Sequence, residues 1–187
     1  MKTIRRCLAL GLASITGFGV LALSPVAAQA AVDPLHDGLS EATAAASCWE
    51  IKQNNPRSSD GTYWLQTATM DAPGQFFCDQ TTDGGGWVMI GRGREGWETW
   101  SQGNGDQTRL QTRPRTPGDF EVVQASHETV NGLLGGTKVS DLPDGVMVQR
   151  AWNHRGSAYQ TVRMQFPKMR DFIWPFKSAH PVNVKFN

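Results

Sequence analysis

The sequence lacks the features that mark several common classes of protein. It has no polybasic tract and no acidic tail, and its 18 basic and 17 acidic residues leave a formal charge of +1. This balance gives no sign of a nucleic-acid partner or of binding to a membrane surface. No internal repeat is visible, and 187 residues correspond to one ordinary domain or slightly more.

Catalytic and cofactor motifs are also scarce. There is no G-x-S-x-G motif, and the four histidines show neither H-x-x-x-H nor H-E-x-x-H spacing. Residues 91–96 fit G-x-G-x-x-G, but the segment that follows is not typical of a dinucleotide-binding βαβ unit. Glu95 and Glu98 are interpreted as loop residues, and Asp141 and Asp144 as turn residues. A glycosidase needs two carboxylates facing each other across a cleft, which sequence alone does not reveal. The sequence therefore predicts a protein that is not an enzyme.

Glycine and tryptophan are the abundant residues, with 20 and 7 copies respectively. Many glycines and few long apolar runs favour short strands joined by turns over a helical bundle. A capping-box pattern, Ser47-x-x-Glu50, predicts a short helix, and Ser126 predicts the start of a second helix that ends at Leu134. Strands are predicted over residues 62–66, 75–79, 87–90, 120–123, 146–152, 159–166 and 182–186. The predicted class is α+β, mostly strands.

The N-terminus resembles a secretory signal peptide. A basic start is followed by an apolar stretch over residues 7–23 and by small residues at 28–30, which suits cleavage after Ala30. The alternative is an N-terminal membrane anchor, but the stretch is interrupted by glycines and no basic flank follows it. Residues 31–46 are rich in alanine and lack an apolar period, which predicts a flexible leader. The expected location is therefore extracellular, with no membrane contact after cleavage.

Cysteine usage fits export. Cys7 lies in the predicted signal peptide, which leaves Cys48 and Cys78 in the exported chain. An even pair in an oxidising compartment favours one disulfide. The alternative is a redox or metal pair, but the spacing matches neither C-x-x-C nor a zinc knuckle.

The residues around Cys78 form a motif that is typical of a known protein family. Phe-Cys-Asp at 77–79, then four residues, then Gly-Gly-Gly-Trp at 84–87 resembles the signature of fibrinogen-like domains, in the form found in secreted bacterial proteins. The match extends over residues 47–92, and the N-terminal part of intelectins shares it. The resemblance implies that Cys48 and Cys78 form the family's first disulfide. The motif residues are interpreted as builders of the fold rather than as a binding site: Asp79, Gly84, Gly85, Gly86 and Trp87.

The second half of the chain departs from the family pattern. It has no cysteine after Cys78 and no Asp-x-Asp-Asn cluster, and the nearest approach, residues 104–106, offers too few carboxylates for calcium. No calcium site or other cofactor is therefore predicted. We expect a fibrinogen-like domain over 47–187, with 93–187 divergent. The chain ends on a strand pattern that would leave a sheet edge unpaired, which raises the hypothesis of a truncated second half.

The best candidate for ligand binding is the loop over residues 92–115. It contains Trp97 and Trp100 together with arginines that include Arg94 and Arg109. Tryptophan and arginine are common anchors of recognition surfaces. The alternative, which the usual burial of tryptophan favours, is that both tryptophans are core residues under the loop. The resulting hypothesis is a secreted, non-catalytic recognition or adhesion module for a glycan or a surface protein. The alternatives are an exported hydrolase, its targeting module, or a structural envelope or matrix protein.

Overall fold

The computed structural model describes residues 36–93, 107–113, 121–151, 158–168 and 183–186. The predicted signal peptide, residues 1–30, lies outside these ranges. The described part contains two α-helices, several single 3-10 turns and eight strands in three antiparallel sheets. The predicted α+β class, made mostly of strands, is confirmed.

The first helix begins where the capping box predicts. Helix α1 (Cys48–Asn54) is capped by Ser47, whose hydroxyl accepts a hydrogen bond from the Glu50 amide at 3.0 Å. The Glu50 carboxylate in turn accepts from the Ala46 amide at 2.6 Å. These two bonds satisfy backbone donors that have no partner inside the helix.

Strands β1 (Gly61–Leu65), β2 (Gly74–Asp79) and β3 (Trp87–Val88) form the first sheet in the order β1-β2-β3. Because side chains alternate along a strand, Tyr63 and Leu65 are buried while Trp64 lies on the opposite face and is half-buried. The predicted disulfide is present and joins α1 to β2, with 5.5 Å between the Cα atoms of Cys48 and Cys78. The core beneath this sheet is formed by Ala45, Cys48, Ile51, Tyr63, Leu65, Phe76 and Cys78.

Residues 36–46 differ from the flexible leader that the sequence predicts. Ala45 is fully buried, and its amide donates to the Trp64 carbonyl at 3.1 Å while its carbonyl accepts from the Gln66 amide at 2.8 Å. The segment thus pairs with the edge of β1. Alanine contributes little apolar area, so the sequence shows no periodic signal, but its small side chain fits the core and its backbone supplies the hydrogen bonds.

The middle of the chain forms a short second sheet and a second helix. Strand β4 (Gly91–Arg92) pairs with β5 (Val123–Gln124). The strand predicted over 87–90 is therefore shorter than expected: it ends at Val88 in the first sheet, and the next strand begins only at Gly91. Helix α2 (His127–Leu134) is capped by Ser126, which accepts from the Thr129 amide at 3.2 Å. The helix ends at Leu134, and the C-cap residue Gly135 has a left-handed φ of 57°. Both ends of this helix agree with the prediction.

The C-terminal part forms a third sheet. Strands β6 (Val146–Ala151) and β7 (Tyr159–Gln165) make the predicted hairpin, and β8 (Asn183–Phe186) pairs with β7 on its other side. A second core joins β5, α2 and the end of β7. Its buried members are Leu110, Val123, Ala125, Val130, Val139 and Phe166.

Candidate functional site

A large concavity lies between the glycine-rich segment and the β6–β7 hairpin. Its volume is about 1300 Å³. We call it the central cleft; its lining includes Trp49, Trp87, Met89, Leu134, Val148 and Tyr159. A concavity of this size, with many apolar and aromatic groups and a few polar ones, is typical of ligand-binding sites.

The glycine triplet forms one wall of the central cleft. Gly85 has a φ of 78°, and a Cβ atom there would lie 2.3 Å from the Gln80 carbonyl oxygen. Gly86 has a φ of 83°, and a Cβ atom there would lie 2.6 Å from the Trp49 ring. These two positions therefore require glycine both for conformation and for space. Gly84 has a positive φ but an open environment.

The side chain of Gln80 holds the glycine segment against α1. Gln80 is fully buried, donates to the Cys48 carbonyl at 3.0 Å and accepts from the Gly86 amide at 3.1 Å. A buried carboxamide needs both kinds of partner, and here it has them. The buried Gln80 side chain thus fixes the position of the glycine segment, and with it one wall of the cleft.

Asp79 of the motif organises the start of the same segment. One carboxylate oxygen accepts from the amides of Thr81 and Thr82 at 3.1 and 2.8 Å. The other lies 3.4 Å from the Arg113 guanidinium. Asp79 is 6% exposed, so this ion pair is partly shielded from water.

Trp87 faces an arginine of the hairpin. Its indole nitrogen donates to the Thr82 carbonyl at 3.1 Å, which fixes the ring plane. The Arg163 guanidinium carbon lies 4.9 Å from the ring centroid, within the range of a cation–π contact. The motif tryptophan, interpreted from sequence as a builder of the fold, therefore also lines the central cleft.

Arg163 is held by two carboxylates as well. Its Nε lies 2.5 Å from Asp83 Oδ2 and its Nη1 lies 3.0 Å from Asp144 Oδ1, while Nη2 donates to the Asp83 carbonyl at 2.8 Å. The arginine is only 19% exposed. One side chain of β7 thus connects the glycine-rich segment to the turn before β6.

Arg113 makes a second connection of the same kind. It donates to the Gln149 carboxamide oxygen at 2.8 Å and lies 5.5 Å from the Tyr159 ring centroid. Gln149 in turn donates to the Thr82 hydroxyl at 3.1 Å. Arg113 in the cleft lining and Arg163 behind Trp87 are therefore engaged with acceptors, rings and carboxylates. Two further arginines, Arg92 and the exposed Arg150, also line the cleft.

The ligand-binding residues predicted from sequence are only partly described. Arg94, Trp97 and Trp100 lie outside the described residues, as do residues 104–106. Arg109 lies in a 3-10 turn, Thr108–Leu110, where it forms an ion pair with Glu121. It is not part of the central cleft lining.

Other chemistry in the described part is limited. Glu128 lies in the first turn of α2, where hydrogen bonds from its own backbone amide and from Ser126, with the nearby His127, hold the pKa of its carboxyl below the usual value. Over residues 36–93, 107–113, 121–151, 158–168 and 183–186 no His, Cys, Asp or Glu cluster is arranged to hold a metal ion. No helix in those ranges has the length and hydrophobicity to cross a membrane.

Sequence reasoning missed three residues that shape this site. Gln80 and Arg163 have no local signal, because the partners that make them important come from distant parts of the chain. Arg163 and Asp83 are 80 positions apart. Gln149 is likewise an ordinary polar residue of an alternating strand. Of the predicted binding loop over 92–115, Arg92 and Arg113 do line the central cleft.

Comparison with known proteins supports the resemblance over part of the chain. No family model matches, and no solved structure matches. Angiopoietin-4 of Mus musculus, which has a fibrinogen-like domain, is 36% identical over 69 residues. The match covers 33% of this chain and only 13% of that protein. A mouse relative gives no support to the bacterial type of the family expected from the motif. About a third of this chain is therefore similar to a protein that contains a fibrinogen-like domain.

Proposed function

We propose that this protein is a secreted, non-catalytic recognition module of fibrinogen-like type that binds an extracellular protein through the central cleft. The observation that carries the proposal is the clustering of exposed apolar side chains. Four large apolar residues of the described part are exposed, and three of them line the central cleft. These are Trp49, Val148 and Tyr159, at 51, 37 and 41% exposure; the fourth is Leu39.

The chemistry of the central cleft favours a protein segment with apolar anchors. Exposed tryptophan and tyrosine side chains bury a large area on contact and lose little conformational freedom. Arg113 in the lining already has a carboxylate partner, so an anionic group on the ligand would have to displace Asp79 there. Arg92 and Arg150 also line the cleft and offer positive charge beside the apolar side chains. The exposed side chains are best matched by an apolar and aromatic segment, as at the centre of many protein interfaces, with polar groups at the edge near these arginines.

Export supports the extracellular setting. The signal-peptide pattern over residues 1–30 predicts secretion, and the Cys48–Cys78 disulfide suits an oxidising compartment. The carboxylates at the cleft are engaged in holding arginines and backbone amides, a structural role that favours recognition over catalysis.

The first experiment selects short random peptides displayed on phage against the immobilised, disulfide-bonded protein. We expect enrichment of peptides with aromatic or large aliphatic anchors. Replacing Trp49 or Tyr159 by alanine should weaken binding of an enriched peptide by about tenfold or more, as is usual for an aromatic anchor. Calorimetric titration measures this dissociation constant, and circular dichroism shows that each variant is folded.

Leu39→Ala is the matched control, because Leu39 is exposed and apolar but lies away from the cleft lining. It should leave peptide binding unchanged. Failure to enrich any peptide, or loss of binding in the Leu39 variant alone, would overturn the proposal. Glycan binding that depends on Trp49 would favour a glycan ligand for the cleft. Hydrolysis of a bound substrate would favour the hydrolase alternative. Retention on purified cell-wall polymer by both cleft variants would favour the structural alternative.

A further inference from the structure

A second concavity lies on the outer face of the first sheet. Its volume is about 430 Å³, and it is bounded by β1, β2 and the 3-10 turn Thr108–Leu110. We call it the outer groove; its lining includes Trp64, Gln75, Gln107, Thr108 and Gln111. The outer groove and the central cleft share no lining residue. It is therefore a separate site.

The strand register places an aromatic ring and an amide side by side. Trp64 of β1 and Gln75 of β2 are directly opposite each other in the antiparallel pair. Side chains of directly opposed residues leave the same face of a sheet and are close neighbours. Because Tyr63 and Leu65 fill the core face, this outer face remains for other contacts, and Trp64 is only half-buried there.

The opposite wall is fixed to the sheet by hydrogen bonds. The Thr62 hydroxyl donates to the Gln111 carbonyl at 2.6 Å, and the Gln107 carboxamide donates to the Gln75 carbonyl at 3.4 Å. A Cβ atom on Gly74 would lie 2.9 Å from the carboxamide nitrogen of the Gln107 side chain. The absence of a side chain on Gly74 therefore allows the carboxamide of Gln107 to approach the strand. The Gln111 side chain keeps its carboxamide for other partners, since its anchoring bond uses the backbone.

The composition of the outer groove is neutral, polar and aromatic. Among the described residues that line it, none carries a formal charge. Each carboxamide offers a donor and an acceptor, as does the Thr108 hydroxyl, which is also what a sugar hydroxyl needs. The Trp64 indole supplies a flat apolar surface of the kind that packs on the C–H face of a pyranose ring. An anionic ligand would find no cationic partner in this lining.

From this arrangement we infer that the outer groove binds a neutral saccharide, with one sugar ring packed on Trp64 and its hydroxyls bonded to Gln75, Gln107 and Gln111. The site is built from side chains alone and requires no metal ion. The inference goes beyond the proposed function, because it concerns another surface and another class of ligand.

The test is an array of neutral, sialylated and sulfated glycans probed with the full secreted protein. We expect binding to neutral glycans, with loss of about tenfold or more in Trp64→Ala and a smaller loss, about threefold, in Gln111→Ala. Gln111→Ala is the safer variant for folding, because the Thr62 bond goes to the backbone. Calorimetry with the strongest neutral oligosaccharide of the array gives the dissociation constants.

Trp49→Ala is the control, since it removes an aromatic side chain from the central cleft and should leave glycan binding intact. Conversely, Trp64→Ala should still bind the peptides selected for the cleft, which separates failure of this inference from failure of the proposed function. Absence of glycan binding by the unmodified protein would overturn the inference. So would a preference for sialylated or sulfated glycans, or binding that survives both Trp64→Ala and Gln111→Ala.

Discussion

At the scale of the residue, the glycine triplet shows how three identical neighbours differ in what they allow. All three have positive φ, between 78° and 92°. Gly84 has open space where a Cβ atom would be, whereas Gly85 abuts the Gln80 carbonyl and Gly86 abuts Trp49. Backbone conformation is thus the only constraint on Gly84, while Gly85 and Gly86 are constrained by sterics as well.

Replacing Gly85 by alanine should therefore cost far more than the same change at Gly84. For Gly84→Ala we expect a loss of about 1 kcal/mol in the free energy of unfolding, from the left-handed backbone alone. For Gly85→Ala the clash with rigid backbone raises the loss to about 3 kcal/mol or more. Urea denaturation measures both values. Equal losses at the two positions would contradict this assignment of the steric constraint.

The same scale shows where sequence reasoning succeeds and where it stops. A run of glycines before a tryptophan predicts a tight turn that leads into a strand, and the structure has one. The pattern does not distinguish Gly84 from Gly85, because the distinguishing contact comes from Gln80. The sequence does not predict that Gln80 is buried and hydrogen-bonded, since a single polar side chain after a strand is usually exposed.

At the scale of the element, α1 depends on two local devices and one distant one. The Ser47 cap and the Glu50 carboxylate are encoded within five positions, and the sequence predicts both. The disulfide joins the helix to β2 and closes a segment with a sequence separation of 30. Counting cysteines predicts this pair because Cys7 lies in the predicted signal peptide, which leaves Cys48 and Cys78.

Replacing both cysteines by alanine should lower the free energy of unfolding by about 3–4 kcal/mol, because the unfolded chain regains the freedom that the closed loop removes. The measurement is urea denaturation of the double variant beside the unmodified protein with and without a reducing agent. The reduced protein should coincide with the double variant. A double variant as stable as the oxidised protein would contradict the expected role of the bridge.

The second helix and the hairpin follow the same rule as the first helix. Ser126 and Gly135 define the limits of α2 through bonds and a backbone conformation that involve only near neighbours. Alternating polarity predicts β6 and β7, since a strand with one buried face has a period of two. The 36–46 segment escapes prediction because its stabilising contacts are backbone bonds to β1, which leave no pattern of side chains.

At the scale of the whole molecule, two arginines connect the glycine-rich segment to more distant parts of the chain. Arg163 reaches Trp87 and Asp83 from β7, and Arg113 reaches Asp79 and Gln149. These contacts define the shape of the central cleft because they set the distance between its two walls. They join residues far apart in the sequence: Arg163 and Asp83 are 80 positions apart, and Arg113 and Gln149 are 36 apart.

Arg163→Ala should lower the free energy of unfolding by about 2 kcal/mol, since it removes the cation that pairs with the partly buried Asp83 and stacks on the Trp87 ring. Arg57→Ala is the matched control at an exposed position, and surface changes of this kind stay within about 0.5 kcal/mol. Hydrogen exchange should increase in β6 and β7 while β1 and β2 remain protected. Similar effects of the two substitutions would contradict the bridging role of Arg163.

The sequence by itself determined the local elements of this protein: the capped helices, the glycine turn, the hairpin, and the disulfide partners. Each helix, turn and strand depends on residues that are near in sequence. The disulfide depends on the two cysteines that lie outside the predicted signal peptide. The sequence pattern therefore contains all the information that these predictions need. Only the tertiary structure decided which side chains form the cleft and the groove. Trp49 meets Gly86, Arg163 meets Trp87, and Gln107 meets Gln75 through packing of distant segments. Such contacts depend on how whole elements fill space together, which no short pattern encodes.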